Sequence, residues 1–497
     1  MVVYDTGMQS TEISGTRPAL TGTATRLLWA VTFLQGLSTL AVEVIAIRLA
    51  VPVAGSSATL NGVMLGVVLM ALCAGYWRGG ALSARWPAAR MRTALARNLL
   101  LAALYYGLLS FPLEAALLEK ALSLDLGLGL SIGITACALL FAPVYLASQT
   151  VPLLAELTNR SGKAGQASGN VLFCSTLGSV VGGIATPIWL FPSLGVTRTG
   201  YVICLLLAVA GILAVLERLG WLRAAAAIGI IVALVAATDI VRTAHQQGFV
   251  FDSAYQNFRI VYETHQDGME QRILMMDGGR ASGLYNATGE TSFRYIRISE
   301  QAWRENRAPR VLVIGAAGFT FPRDIAREPE VERVDAVDLD PAVKPIAERQ
   351  FLRERLPAKV RFVPQSGRYA LHRMQREHQQ YGYTLLDAYY GTDIPPELMT
   401  VEFFRDVRAV SDRVVLNAVL DPELKSALAH NLLATFREAF GAVWVRQAYQ
   451  EKTDLINILV TNWPIQEGER WDGQGRIYHD DRETVDRDRV ALLWETE

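Results

Sequence analysis

The chain has 497 residues, 51% of them hydrophobic, with 47 Lys and Arg against 48 Asp and Glu and a formal net charge of −1. That length allows two or three domains, and the balanced charge argues against a polyanionic partner, so no nucleic acid is expected. The four cysteines, Cys73, Cys137, Cys174 and Cys204, all sit in apolar stretches without metal-ligand spacing, so they read as small buried hydrophobes and no metal is expected.

Residues 1–25 are polar and rich in Thr, Ser and Gly, the composition of a disordered tail. Residues 26–242 then carry apolar runs, each close to the ~20 residues needed to cross a bilayer. Seven are read, at 27–49, 58–77, 95–113, 127–150, 168–191, 199–216 and 222–241. The first lies too far into the chain and runs too long for a cleaved signal peptide. Gly178, Gly182 and Gly183 would let helices approach closely, which implies a compact all-α transmembrane bundle. Glu43 stands mid-span and Arg48 follows near the helix end. A carboxylate in hydrocarbon needs a partner or a polar cavity. Glu43 therefore reads either as an ion pair with Arg48, Arg78 or Arg97, or as a substrate contact. Gln149, Asn170 and Ser175 read as helix–helix hydrogen-bonding residues.

After residue 242 the pattern changes. Residues 250–300 contain short β-type runs at 258–262 and 272–276 joined by the turn "HQDGME", a small β-hairpin subdomain. Residues 301–497 alternate apolar strands such as "RVLVIG", "RVDAVDLD" and "RVVLNAVL" with amphipathic helices. That alternation predicts a Rossmann-like, doubly wound α/β sheet, mainly parallel.

Such a sheet binds ligands beyond the carboxyl ends of its strands. Gly315 and Gly318 follow the first of these strands, where missing side chains let backbone approach a ligand. Asp338, with Leu339 beside it, ends the second and can accept both ribose hydroxyls of an adenosyl group. Ser366 and Gly367 follow the third, where adenine would be edged, and Asp387 ends the fourth, nearest the reacting centre. A glycine pair followed by an acid about twenty residues later is the signature of a nucleotide cradle. The third glycine of a dinucleotide loop and any GxxxxGK[ST] are missing, which leaves a single adenosyl moiety as the best fit.

On these residues segment 250–465 resembles the spermidine synthases, aminopropyltransferases that use decarboxylated S-adenosylmethionine. "DSAYQNFRI" is similar to the family's leading strand, with Gln256 as its glutamine, and "MMDGGRASG" to its Leu-Asp-Gly turn, carried by Asp277 and Gly278. "IGAAGF", "VDLD" and "LLDAYYG" stand where the family has its nucleotide loop, its ribose-binding acid and its catalytic loop. The N-terminal half, in "GLSTLAVEVIAIRL" and "GNVLFCSTLGSVVGG", resembles the multi-spanning region fused to such domains in bacteria.

The resemblance implies S-adenosylmethionine or its decarboxylated form as co-substrate, held by Gln256, Gly315, Gly318, Asp338, Leu339, Ser366, Gly367 and Asp387. It implies Asp387 as the base, Tyr295 beside it, and Tyr389, Tyr390 and Asp277 around the acceptor. The family's other acids are replaced here, by Phe319 in the nucleotide loop, Tyr390 in the catalytic loop and Ser366 in the adenine loop, and Ile296 stands where a histidine is usual. A dication needs carboxylates at both ends to offset desolvation. The acceptor is therefore expected to be a small molecule or lipid other than a simple diamine, with methylthioadenosine released. Two alternatives stay open: methyl transfer or a cyclising, lyase-type reaction on the same co-substrate, and a transporter or sensor that only binds an adenosyl ligand. A homodimer is an expectation by analogy.

The same resemblance places the chain as a multi-pass protein of the bacterial inner membrane. Arg78, Arg85, Arg90, Arg92 and Arg97 cluster around one loop, against Glu114, Glu119, Asp125 and a single Lys120 around the next. The positive-inside rule makes the arginine-rich loop cytoplasmic, and seven spans then put the catalytic domain outside. S-adenosylmethionine is cytosolic, so a cytoplasmic domain is expected instead. That expectation requires one span to be miscounted, with a re-entrant piece at 127–157 around Pro143 and Pro152.

Overall fold

The computed structural model describes residues 22–54, 58–122, 124, 128–159, 163–245, 249–253, 255–265, 267–391, 393–449, 455–481, 485 and 488. The tail read at 1–25 lies outside the described residues up to 21, and a helix, Gly22–Ala54, begins inside its last four positions.

Four helical runs among the described residues are long and apolar enough to cross a membrane: Arg26–Val51, Thr59–Ser83, Gly129–Thr158 and Ala164–Leu219. The last holds 56 residues and is broken at Gly195, which takes φ +78°, so it contains both the 168–191 and the 199–216 runs. The 95–113 run falls on the helices Ala88–Tyr105 and Phe111–Leu122, joined through one π-helical turn, Tyr106–Ser110. The 222–241 run falls on Trp221–His245, whose apolar part is the shorter Trp221–Leu234. Leu172, Phe173, Leu177, Ile184 and Trp189 point outward from the bundle.

Small residues bring the first helix against Ala164–Ala185, as expected. A Cβ on Gly36 would stand 2.0 Å from the Ser175 carbonyl oxygen, and one on Gly178 would stand 2.2 Å from that of Phe33. Ser175 Oγ donates to Gln35 Oε1 at 3.2 Å and Asn98 Nδ2 to Gln149 Oε1 at 3.1 Å, so both Ser175 and Gln149 hydrogen-bond between helices. Asn170 is exposed and makes no helix–helix hydrogen bond among the described residues. Glu43 is buried but makes no ion pair among the described residues; Arg48 turns out of the bundle to Asp277 instead.

The pairings also fix the direction of each pass. Gly75 abuts Ser148 and Gly79 abuts Gln149 and Pro152, while Gly133 lies against Val63, so Gly129–Thr158 runs the length of Thr59–Ser83 in the same sense. The segment is helical along that length, through one π-helical turn at Cys137–Phe141 and a break at Gln149. Arg92 pairs with Glu217 at 2.7 Å and Arg218 reaches Thr93 at 3.4 Å, which ties the arginine-rich turn after Ser83 to the turn at Gly220. Arg48 and Gly195, which meet the C-terminal domain, lie at the other end.

The subdomain after the bundle is larger than a hairpin. Strands β1 (Val250–Asp252), β2 (Asn257–Thr264), β3 (Glu270–Met276) and β4 (Gly279–Tyr285) form a four-stranded antiparallel meander, and the predicted "HQDGME" turn joins its central pair. The second sheet has eight strands in the order β12-β10-β11-β9-β8-β5-β6-β7. These are β5 (Arg310–Ile314), β6 (Arg333–Asp338), β7 (Val360–Pro364), β8 (Tyr383–Leu386), β9 (Val414–Leu420), β10 (Trp444–Gln447), β11 (Ile456–Thr461) and β12 (Glu469–Arg470). The five strands from β7 to β9 are parallel, and β11, β10 and β12 close the sheet antiparallel. Near-continuous apolar strands such as β5, "RVLVI", are buried on both faces by helices, as a parallel sheet requires. The order reverses between β5 and β8, which opens a crevice at their carboxyl ends.

Candidate active site

A cavity of about 950 Å³ fills that crevice and extends under the meander. One end, where the sequence predicts a nucleotide, is built from the ends of β5, β6 and β7. Asp338, the last residue of β6, is half-buried; its Oδ2 accepts the Ala316 N–H and its Oδ1 the Asp340 N–H, both at 3.1 Å. Those amides hold the carboxylate in place while each oxygen keeps a lone pair for a ribose hydroxyl. Burial nonetheless pushes its pKa up to about 6. Gln256, Leu339, Ser366 and Gly367 line the same end. Ser366 Oγ already accepts the Tyr369 N–H as the cap of a helix, which leaves its O–H and one lone pair for a ligand.

The glycines divide. Gly315 lines the cavity at φ +93°, and a Cβ there would stand 2.2 Å from the Asp387 carbonyl oxygen. The position needs glycine because the neighbouring strand end passes so close, a stronger demand than ligand approach. Gly318 does not line the cavity. It is buried against Phe351 and Ser282, and it gives its N–H to Ser282 Oγ at 3.0 Å, so its expected cofactor contact is corrected to a packing role. Phe319 is buried in the core, edge-on to Phe362, and does not reach the cavity in place of an acid.

At the other end of the cavity Asp387, one residue beyond β8, is gripped from both sides. Tyr295 Oη donates to its Oδ2 at 3.0 Å and Asn417 Nδ2 to its Oδ1 at 2.8 Å. Asn457 Nδ2 donates in turn to Asn417 Oδ1 at 3.0 Å, and Tyr389 Oη to the Asn417 carbonyl at 2.8 Å. Burial lifts the Asp387 pKa to about 7, against the opposing pull of the two donors. Burial also holds Tyr295 far above the usual phenol range, so it stays a donor. Tyr389, Tyr390 and Tyr449 line this end. The predicted Asp387, Tyr295, Tyr389 and Tyr390 therefore converge.

Asp277 does not join them. It is fully buried in the turn between β3 and β4, and its Oδ1 takes Arg48 Nη1 at 3.0 Å, while its neighbours Gly278 and Gly279 line the cavity. The expected acceptor contact is thus a support beneath the wall. Sequence reading missed Asn417, Asn457 and Tyr449. The signal for the first was there, a lone amide inside the apolar strand "VVLNAVL".

In sequence, the part of the chain that carries this sheet and cavity is similar to polyamine aminopropyltransferases. The chain is 28% identical over 230 residues to the polyamine aminopropyltransferase of Vibrio vulnificus (strain CMCP6), a match covering 46% of this chain and 73% of that protein. It is 32% identical over 232 residues to the polyamine aminopropyltransferase of Mycobacterium tuberculosis (strain ATCC 25618 / H37Rv), covering 42% of each, so it spans less than half of that relative. Among solved structures it is similar to the spermidine synthase of Thermotoga maritima, at 15% identity and TM-score 0.35 over 49% of this chain and 87% of that one. It is also similar to a probable spermidine synthase of Corynebacterium glutamicum ATCC 13032, at 19% identity and TM-score 0.36 over 44% and 80%. No family model matches the chain.

Proposed function

We propose that the chain is a membrane-integrated transferase of the aminopropyltransferase type. It takes S-adenosylmethionine or its decarboxylated form and passes the three-carbon arm to an acceptor other than a simple diamine. The observation that carries this reading is Asp387, a carboxylate with a pKa of about 7 held between Tyr295 and Asn417 at the reacting end of the cavity. A sulfonium makes its attached carbons electrophilic, so the protein has to orient a nucleophile and remove one proton. The acceptor's lone pair forms the new bond to carbon, the carbon–sulfur bond breaks, its electron pair stays on sulfur as methylthioadenosine, and the acceptor proton goes to Asp387. Asp338 supports the adenosyl assignment, since its two oxygens are aligned by backbone amides.

The acceptor class follows from what surrounds Asp387. Among the described residues Tyr295 and Asn417 hold Asp387 directly, and Tyr389, Tyr449, Asn457, Leu455 and Ile456 line the same cavity. Besides Asp338, its further carboxylates without an arginine ion pair among the described residues are Glu397 and Asp340. Glu263, farther along the cavity, is neutralised by Arg280, whose Nη1 donates to it at 3.0 Å. A dication would need one of the carboxylates without an arginine within reach of its second ammonium, whereas the immediate surroundings of Asp387 are phenols, amides and aliphatic side chains, which suit a less charged acceptor.

The four long apolar runs and their outward leucines and aromatics support membrane insertion. Arg78, Arg85, Arg90, Arg92, Lys163, Arg218 and Arg223 belong to the bundle end away from the C-terminal domain; Arg48, Lys120 and Arg198 belong to the near end. By the positive-inside rule the domain faces away from the cytoplasm. Cofactor supply argues for the cytoplasmic face expected from sequence, while the charge asymmetry and the helical run over 129–158 support the opposite face.

The test is product analysis of the full chain in nanodiscs with either sulfonium and with monoamines, putrescine and lipid extract as acceptors. Methylthioadenosine release with an acceptor other than putrescine is expected. S-adenosylhomocysteine as the product would overturn the reading in favour of methyl transfer.

A further inference from the structure

The bundle reaches the back of the cavity's wall. Arg48, near the end of the first helix, donates from Nη1 to Asp277 Oδ1 at 3.0 Å, and the two side chains are 11% and 1% exposed. The same Asp277 oxygen accepts the Asn257 N–H at 2.8 Å. Asp277 holds φ +46°, unusual for a residue with a side chain, in the turn whose next members Gly278 and Gly279 line the cavity. That turn lies directly on the catalytic loop. A Cβ on Gly279 would stand 2.2 Å from the Gly391 carbonyl oxygen, and one on Gly391, itself at φ +60°, would stand 3.1 Å from the Asp277 carbonyl oxygen. Arg48 also acts by charge on Tyr390 of the loop, where it opposes the upward pull of burial and of Asp277.

A second contact reaches the same place from another helix. Beyond the break at Gly195, the Val196 N–H donates to Asp252 Oδ2 at 3.2 Å. The other oxygen of Asp252 accepts from the Asn257 side chain. Asn257 follows Gln256, which lines the nucleotide end. Two bundle helices thus clasp one residue pair from opposite sides, and that pair carries both the cavity wall and the seat of the catalytic loop.

As a stabilising pair the contact is poor. Arg48 Nε and Nη2 and Asp277 Oδ2 are buried without hydrogen-bond partners among the described residues. A pair so incompletely satisfied is commonly no better than apolar packing of equal volume, and its best-attested use is to fix register. We propose that Arg48 is a positioning residue of the enzyme: through Asp277 it sets the 387–391 loop, so that the bundle is a working part of the site and more than an anchor. This deepens the reading of 387–391 as the reacting end.

The test measures amide hydrogen exchange and methylthioadenosine affinity on the full chain in nanodiscs, then turnover. For Arg48→Gln, exchange of 387–391 is expected to rise at least tenfold while β5 keeps wild-type rates. Methylthioadenosine affinity should change less than threefold, and kcat should fall without a matching rise in KM for the sulfonium. Arg48→Lys should recover part of each effect, and the exchanged pair Arg48→Asp with Asp277→Arg should recover loop protection. If single variants fold poorly, Arg48→Met with Asp277→Asn removes the charges together, and the loop should still exchange faster. Wild-type exchange at 387–391 in both Arg48→Gln and the neutral double variant overturns the proposal. If the wild type turns over no sulfonium, the transferase reading fails, yet the exchange result still decides whether the bundle sets the loop.

Discussion

Tyr295 and Asp387, 92 positions apart, meet at 3.0 Å between the phenol oxygen and the carboxylate Oδ2. The tyrosine comes from the helix Arg294–Asn306 and the aspartate from the loop after β8, and neither segment predicts the other. The contact gives a strand-end carboxylate a fixed direction. Asn417 completes it from β9, so the unprotonated oxygens have set lone pairs free for one proton.

Asp387 should therefore govern the pH profile. As a base it must be ionised, so turnover is expected to climb as pH passes through about 7 and to level off above it. Asp387→Asn should cost roughly 10²–10⁴ in turnover with little change in methylthioadenosine affinity, measured by calorimetry. Equal turnover of mutant and wild type removes Asp387 from the mechanism.

The stability of the same variant runs the other way. The folded pKa of Asp387 lies above its unfolded value of about 3.9, so the neutral form is favoured by folding. Its contribution is complete below the unfolded value and is lost as pH rises through about 7. Asp387→Asn should thus melt above the wild type at pH 8, and the gap should close towards pH 4. A variant that melts lower at pH 8 would show that the carboxylate's hydrogen bonds outweigh its desolvation.

Tyr295→Phe removes a donor to the carboxylate, and Asn417→Ala removes the stronger one. Each loss disfavours the ionised form, so the midpoint of the pH–turnover profile should move up. A hydrogen bond to a charged group is worth about 1.5–3 kcal/mol, enough for a shift of about one unit or more. An unmoved midpoint with reduced turnover would assign both residues to acceptor binding.

Asp338→Ala should weaken methylthioadenosine binding at least ~100-fold, because a ribose diol loses two charge-assisted acceptors. Asp338 has its pKa near 6, so affinity for the neutral nucleoside should also fall as pH drops below that value. Unchanged affinity would place the nucleotide elsewhere in the cavity.

The charge asymmetry of the bundle gives a topology that a C-terminal reporter can read. Alkaline phosphatase fused there should be active, and a green fluorescent protein fusion dark, because the arginine-rich end and the C-terminal domain lie at opposite ends of the bundle. A fluorescent fusion with inactive phosphatase restores the cytoplasmic placement.

Local patterns in the chain already specify much of this protein. Long apolar runs, strand–helix alternation and an acid at each of two strand ends are properties of nearby residues, so the bundle, the doubly wound sheet, Asp338 and Asp387 were legible without coordinates. The antiparallel extension through β11, β10 and β12 was not, since short apolar strands carry no mark of direction. Nor was the role of Gly318, where one absent side chain serves Phe351 packing as readily as a phosphate. The partner of Arg48 was beyond reach for a further reason. A charge near a helix end can meet any opposite charge that the fold brings within 4 Å, and local sequence favours Glu43 five positions away. Only the docking of the meander on the bundle chose Asp277, 229 positions away, and with it set an N-terminal helix against the back of the cavity's wall.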